Sequence, residues 1–86
     1  MQMDVQIGKV THFYDKIDVA VVDVTNQALK VGDMIKISGH DNEFNQKVVS
    51  LQVEHKQVDQ LSPGESGGVK VDQPVKSGDV LYLVSK

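Results

Sequence analysis

Eighty-six residues with a net charge of −3 bound the problem to one domain with a single small core. There is no cysteine, which excludes disulfide frameworks and thiolate metal sites, and no stretch approaches the ~20 apolar residues of a membrane helix. All nine basic residues are lysines, set against twelve acids, so the side chain best suited to bidentate phosphate binding and base stacking is missing.

The first strand is expected over Val5 to Tyr14. Val5 and Ile7 share one face, whereas Val10, His12 and Tyr14 share a face after Gly8, so a bulge or strong twist is expected at that glycine. Asp15-Lys16 then turns the chain into a β-branched strand, Ile17 to Val24, apolar on both faces. Val19 and Val21 are taken as its core-facing pair. Thr25-Asn26-Gln27 ends that run, and Gly32-Asp33 turns the chain into a strand from Met34 to Ser38.

A polar loop from Gly39 to Glu43 leads to a long strand beginning near Phe44, in which Val49, Leu51 and Val53 alternate with Ser50, Gln52 and Glu54. Gln57 to Leu61 reads as a short irregular turn, and Ser62-Pro63-Gly64-Glu65 as a corner. Gly67-Gly68 opens a short strand, Val69 to Val71, and Gly78-Asp79 opens the last one. Asp33 and Asp79 are each positioned to accept a backbone hydrogen bond at their turns. Sustained helical periodicity is absent. Six short strands around one core predict an all-β, closed Greek-key barrel spanning 1–86. The expected core comprises Val10, Val19, Val21, Leu29, Ile35 and Ile37, with Val49, Leu51, Val53, Val69, Val71 and Leu81.

Several segments in this order carry a resemblance: Ile7-Gly8-Lys9-Val10, Leu29-Lys30-Val31-Gly32-Asp33, Val49-Ser50-Leu51-Gln52, Ser62 to Val69, and Lys76 to Leu81. Together they resemble the second, six-stranded barrel domain of translational GTPases such as elongation factor Tu. The stretches from Val10 to Val24 and from Ile37 to Val58 are also similar to small translation elongation factor-like proteins. They are similar as well to barrels at the C-terminus of collagenase-type peptidase-family proteins, some of which act in tRNA hydroxylation. Two positions depart from the factors: Glu65 stands where aspartate is usual, and Gly67 where a branched apolar residue is usual. No GTPase domain lies within these residues.

Candidate chemistry is sparse. Gly64 to Lys70 is glycine-rich, but it lacks the spacing of a phosphate-cradling loop, so no nucleotide is expected. His12, His40 and His55 lack metal-ligand spacing, and Ser50, Ser62, Ser66 and Thr11 read as turn or strand-surface residues. Neither an enzyme nor a bound cofactor or metal is expected. The resemblance implies a binding module, with candidates His55, Lys56 and Gln57 at a strand end and Gly64, Glu65, Ser66 and Gly67 at the corner. Its expected partner is tRNA, a ribosome or another ribonucleoprotein, with a protein partner as the alternative. DNA and membranes are not expected as partners. With no basic segment before an apolar run at the N-terminus, a soluble, cytoplasmic protein is anticipated.

Overall fold

The computed structural model describes residues 5–39, 43–54 and 56–84. Among the described residues there are ten strands and no helix. In chain order they are β1 (Val5–Tyr14), β2 (Val19–Val24), β3 (Leu29–Lys30), β4 (Met34–Ser38) and β5 (Glu43–Lys47). There follow β6 (Leu51–Val53), β7 (Lys56–Val58), β8 (Gln60–Leu61), β9 (Ser66–Lys70) and β10 (Val80–Leu83). An eight-stranded sheet has the order β5-β4-β10-β1-β2-β9-β6-β7, and β3 pairs with β8 separately. Every pairing is antiparallel.

β1 has the expected bounds and the expected irregularity. Its register against β10 shifts between Gln6 and Gly8, which lets both Ile7 and Val10 reach the core. A Cβ at Gly8 would lie 2.8 Å from the Asp23 carbonyl oxygen, so the close approach of β2 requires glycine here.

Three corners share one construction. In Lys30–Asp33, Ser62–Glu65 and Lys76–Asp79 the third residue is a glycine with φ of 98°, 93° and 99° respectively. The acidic fourth residue accepts a hydrogen bond from the first residue's N–H: Asp33 from Lys30 at 3.0 Å, Glu65 from Ser62 at 2.7 Å, Asp79 from Lys76 at 2.9 Å. Each glycine N–H donates at 2.8 Å to the carbonyl of a buried valine: Val48, Val24 and Val10 in turn. Those valines return their own N–H to the carbonyl of the acidic residue at 2.8, 2.9 and 2.7 Å. Buried aliphatic residues, Leu29, Leu61 and Val75, lead into the three corners. The two Gly-Asp turns apparent in the sequence thus have a third member, with glutamate in the aspartate's role.

Several expectations about individual strands are corrected. Ala20, Val22 and Val24, not Val19 and Val21, face the core from β2; Val19 and Val21 are half-buried on the outer face. The long strand from Phe44 breaks at Val48–Ser50, where Val48 turns inward to meet the Gly32 corner, leaving Val49 62% exposed and Val53 half-buried. Gln57 to Leu61 is extended, supplying parts of β7 and β8, because Leu61 must reach the core opposite Leu29. The short strand after the Pro63-Gly64 corner runs over Ser66–Lys70, so Gly67 and Gly68 lie inside it. The remaining expected core residues, Val10, Leu29, Ile35, Ile37, Leu51, Val69, Val71 and Leu81, are all buried.

The backbone ladder runs open from β5 to β7; no ladder among the described residues joins those two strands into the expected closed, six-stranded circuit. Corners and breaks divide the chain into short strands, and one side chain ties β5 to the end of β9 across the interior. Gln46, 4% exposed, points inward from β5; its Nε2 donates to the Lys70 carbonyl at 2.7 Å, and its Oε1 accepts the Asp72 N–H at 2.8 Å.

Candidate functional site

β2, β9 and β6 lie side by side, with Val21 opposite Gly68 and Gly68 opposite Gln52. On the outer face Gly68 of β9 leaves a depression beside Val19 and Val21, because it contributes no side chain; Gly67, its neighbour in the strand, faces inward toward Leu61. A Cβ at Gly68 would come within 2.8 Å of Val19 Cγ1, and one at Gly67 within 2.7 Å of the Gln52 carbonyl oxygen. The resulting groove has a volume of about 270 Å³ and a floor of Val19, Val21 and glycine backbone.

The β1–β2 hairpin forms one wall. Its turn is closed by Ile17 N–H donating to the Tyr14 carbonyl at 3.3 Å, and Asp18 takes φ 56°. Tyr14 and Ile17 stand 50% and 57% exposed on this wall, a large apolar area for a chain this small. The His12 ring, two residues before Tyr14 on the same face, packs against it at 4.4 Å between centroids and 59° between planes. Gln52 and Glu54 form the opposite wall. Glu54 has φ 51° and begins the two-residue link between Val53 and Lys56.

The sequence candidates divide between structural and surface roles. His55 lies outside the described residues. Lys56 and Gln57 are exposed on β7, at the end of the sheet, opposite Val53 and Gln52. Gln57 is thus two strands, about 9.5 Å, from Gly68, but it lines a different hollow shared with Val31, Val49 and Val58. Gly64 and Glu65 are occupied in the corner. Ser66 and Gly67 do border the groove; the Ser66 hydroxyl hydrogen-bonds the Asp23 carboxylate. Tyr14, Ile17, Val21 and Glu54 also line the groove without any sequence signature: Tyr14, Val21 and Glu54 have the look of ordinary strand residues, and Ile17, expected to open β2, lies in the turn before Val19.

Among the described residues no group of three His, Asp or Glu side chains is placed to hold a metal ion. No described helix is long and apolar enough to cross a membrane. What the groove offers is shape, apolar surface and one carboxylate.

No family model matches the chain. It is 39% identical over 83 residues to an uncharacterized protease of Methanocaldococcus jannaschii, a match covering 95% of this chain and 20% of the relative. The chain therefore spans about a fifth of the length of that curated relative. Among solved structures, the C-terminal domain of a Geobacillus thermoleovorans protein described as a U32 peptidase superposes with a TM-score of 0.85 at 18% identity, covering 95% of this chain and 93% of that one. Its selenomethionine variant gives 0.82 at 19% identity, covering 88% and 95%. These findings support the likeness to collagenase-type peptidase barrels; they do not show the likeness to translation-factor second domains. The chain has the fold of a U32 peptidase C-terminal domain.

Proposed function

We propose that this chain is a non-catalytic, cytoplasmic accessory domain that docks on a protein partner, equivalent to the C-terminal barrel of the collagenase-type peptidases. The observation that carries this reading is the groove over Gly67 and Gly68, with Tyr14 and Ile17 exposed at its rim. A half-exposed tyrosine beside an aliphatic wall is the composition expected of an anchor at a protein interface. The natural partner is the body of a U32-type protein, because the matched region is a small part of the relative's length.

The test uses the part of the Methanocaldococcus jannaschii protein outside its matched residues, expressed separately and titrated with this chain in a calorimeter. Saturable association that weakens about fivefold or more in Tyr14→Ala and Ile17→Ser is expected, since a buried anchor contributes more than about 1 kcal/mol. Absent association, or association indifferent to both substitutions, refutes the assignment. The RNA-side alternative places Lys56 on a phosphate. The comparisons lend it no support, and the net charge of −3 opposes it.

A further inference from the structure

We infer that the groove accepts an extended segment of the partner bearing a lysine or arginine, whose cationic head sits between the Tyr14 ring and the Glu54 carboxylate. This deepens the docking reading above and rests on it. Charge selects the occupant: among the described residues lining the groove, Glu54 alone carries a charge. A cation entering there lies between the wall bearing Tyr14 and the wall bearing Glu54, while its apolar stem and neighbours cover Val19, Val21 and the glycine backbone. The overall charge of −3 favours the approach of such a segment.

The backbone supplies an independent observation. Glu54, directly after β6, holds φ 51°, a left-handed conformation in which Asn, Asp or Gly is strongly preferred. A long side chain with no special tolerance for that conformation costs folding free energy, and such costs gather at binding sites. A smaller turn residue would forfeit the carboxylate that Glu54 brings to the groove's lining.

The probes are capped Val-Arg-Val, Val-norleucine-Val and Val-Glu-Val tripeptides, titrated into the 15N-labelled chain and followed by amide shifts. The arginine peptide is expected to move Gly67, Gly68 and Tyr14 saturably. Norleucine should bind about five- to tenfold more weakly and glutamate not measurably, the factor expected of one cation–π contact plus one exposed ion pair. Glu54→Gln should weaken the arginine peptide by a few-fold with little change in melting temperature. Glu54→Asn should weaken it similarly while raising the melting temperature by about 2–5 °C, because asparagine tolerates the left-handed backbone. Equal affinity for arginine and norleucine, shifts centred elsewhere, or unchanged arginine affinity in Glu54→Asn overturns the inference. Failure here with intact, Tyr14-dependent docking to the peptidase body overturns the cation site alone; failure of both overturns the docking reading as well.

Discussion

Gln46 is the buried polar side chain among the described core residues, and replacing it with leucine removes both of its hydrogen bonds at nearly constant volume. The Lys70 carbonyl and the Asp72 N–H then lose their partner. Leaving a buried polar group unsatisfied costs about 1–3 kcal/mol. Asp72 is exposed, so water relieves part of its loss, and the leucine regains about 1 kcal/mol of apolar burial. The net expectation is about 1–2 kcal/mol, a drop of roughly 5–15 °C in melting temperature for a domain of this size. Gln46→Ala adds a cavity and should fall further, by about 3–4 kcal/mol in all. Urea unfolding followed by circular dichroism measures both, and amide exchange adds a local readout at Asp72. Gln46→Glu tests the bonding directly. A neutral carboxyl can donate to Lys70 and accept from Asp72, but a carboxylate cannot donate, so the folded state raises this group's pKa above the ordinary ~4.3 of glutamate. The variant should therefore lie closest to the parent below about pH 4 and lose stability as pH rises above that value. A Gln46→Leu variant melting within about 2 °C of the parent would refute the role assigned to this side chain.

The three corners make a second prediction: Gly78→Ala should cost about 1–2 kcal/mol from its φ of 99° alone, because nothing lies within 4 Å of the added Cβ. Gly67→Ala should cost about 1–3 kcal/mol for the opposite reason, its Cβ falling 2.7 Å from the Gln52 carbonyl oxygen and 2.8 Å from Leu61 Cδ2; both are read from urea midpoints. Asp33→Ala and Asp79→Ala should each cost about 0.5–1.5 kcal/mol through loss of the turn hydrogen bond, with additive effects in the double variant if the corners act independently. Val49→Lys, at a site 62% exposed, should change stability by less than about 0.5 kcal/mol; a loss above 2 kcal/mol would contradict its placement outside the core.

Local rules sufficed where the chain obeys them locally. β1 and the Gly-Asp turns were legible because glycine, aspartate and alternating apolar residues act within a few positions of one another. The face of β2 was not, because Val19 to Val24 is apolar at nearly every position and only its neighbours decide which side is buried. Val48 and Val49 show the same limit. Either could have faced inward, and the choice falls to Val48 because the Gly32 corner, sixteen positions earlier, needs its backbone N–H and carbonyl. The interior link through Gln46 joins residues 24 and 26 apart and has no sequence signature at all.

The site was less legible than the fold for a related reason. Residues conspicuous in the sequence, Gly64 and Glu65 above all, are conspicuous because folding requires unusual backbone there; the same requirement ties up their polar groups within the corner. The two glycines of β9 divide the work: the side chain missing at Gly67 leaves room for Leu61 and the Gln52 carbonyl on the inner face, and the one missing at Gly68 opens the groove on the outer face. Tyr14 and Ile17 carry no motif, and their exposure becomes meaningful only when β9 presents glycines beside them. Glu54 sits in the middle: ordinary in sequence, yet in a conformation its residue type disfavours. A stabilising substitution at Glu54 that also reduces peptide affinity would show that the fold gives up stability at this position to keep the carboxylate in the groove.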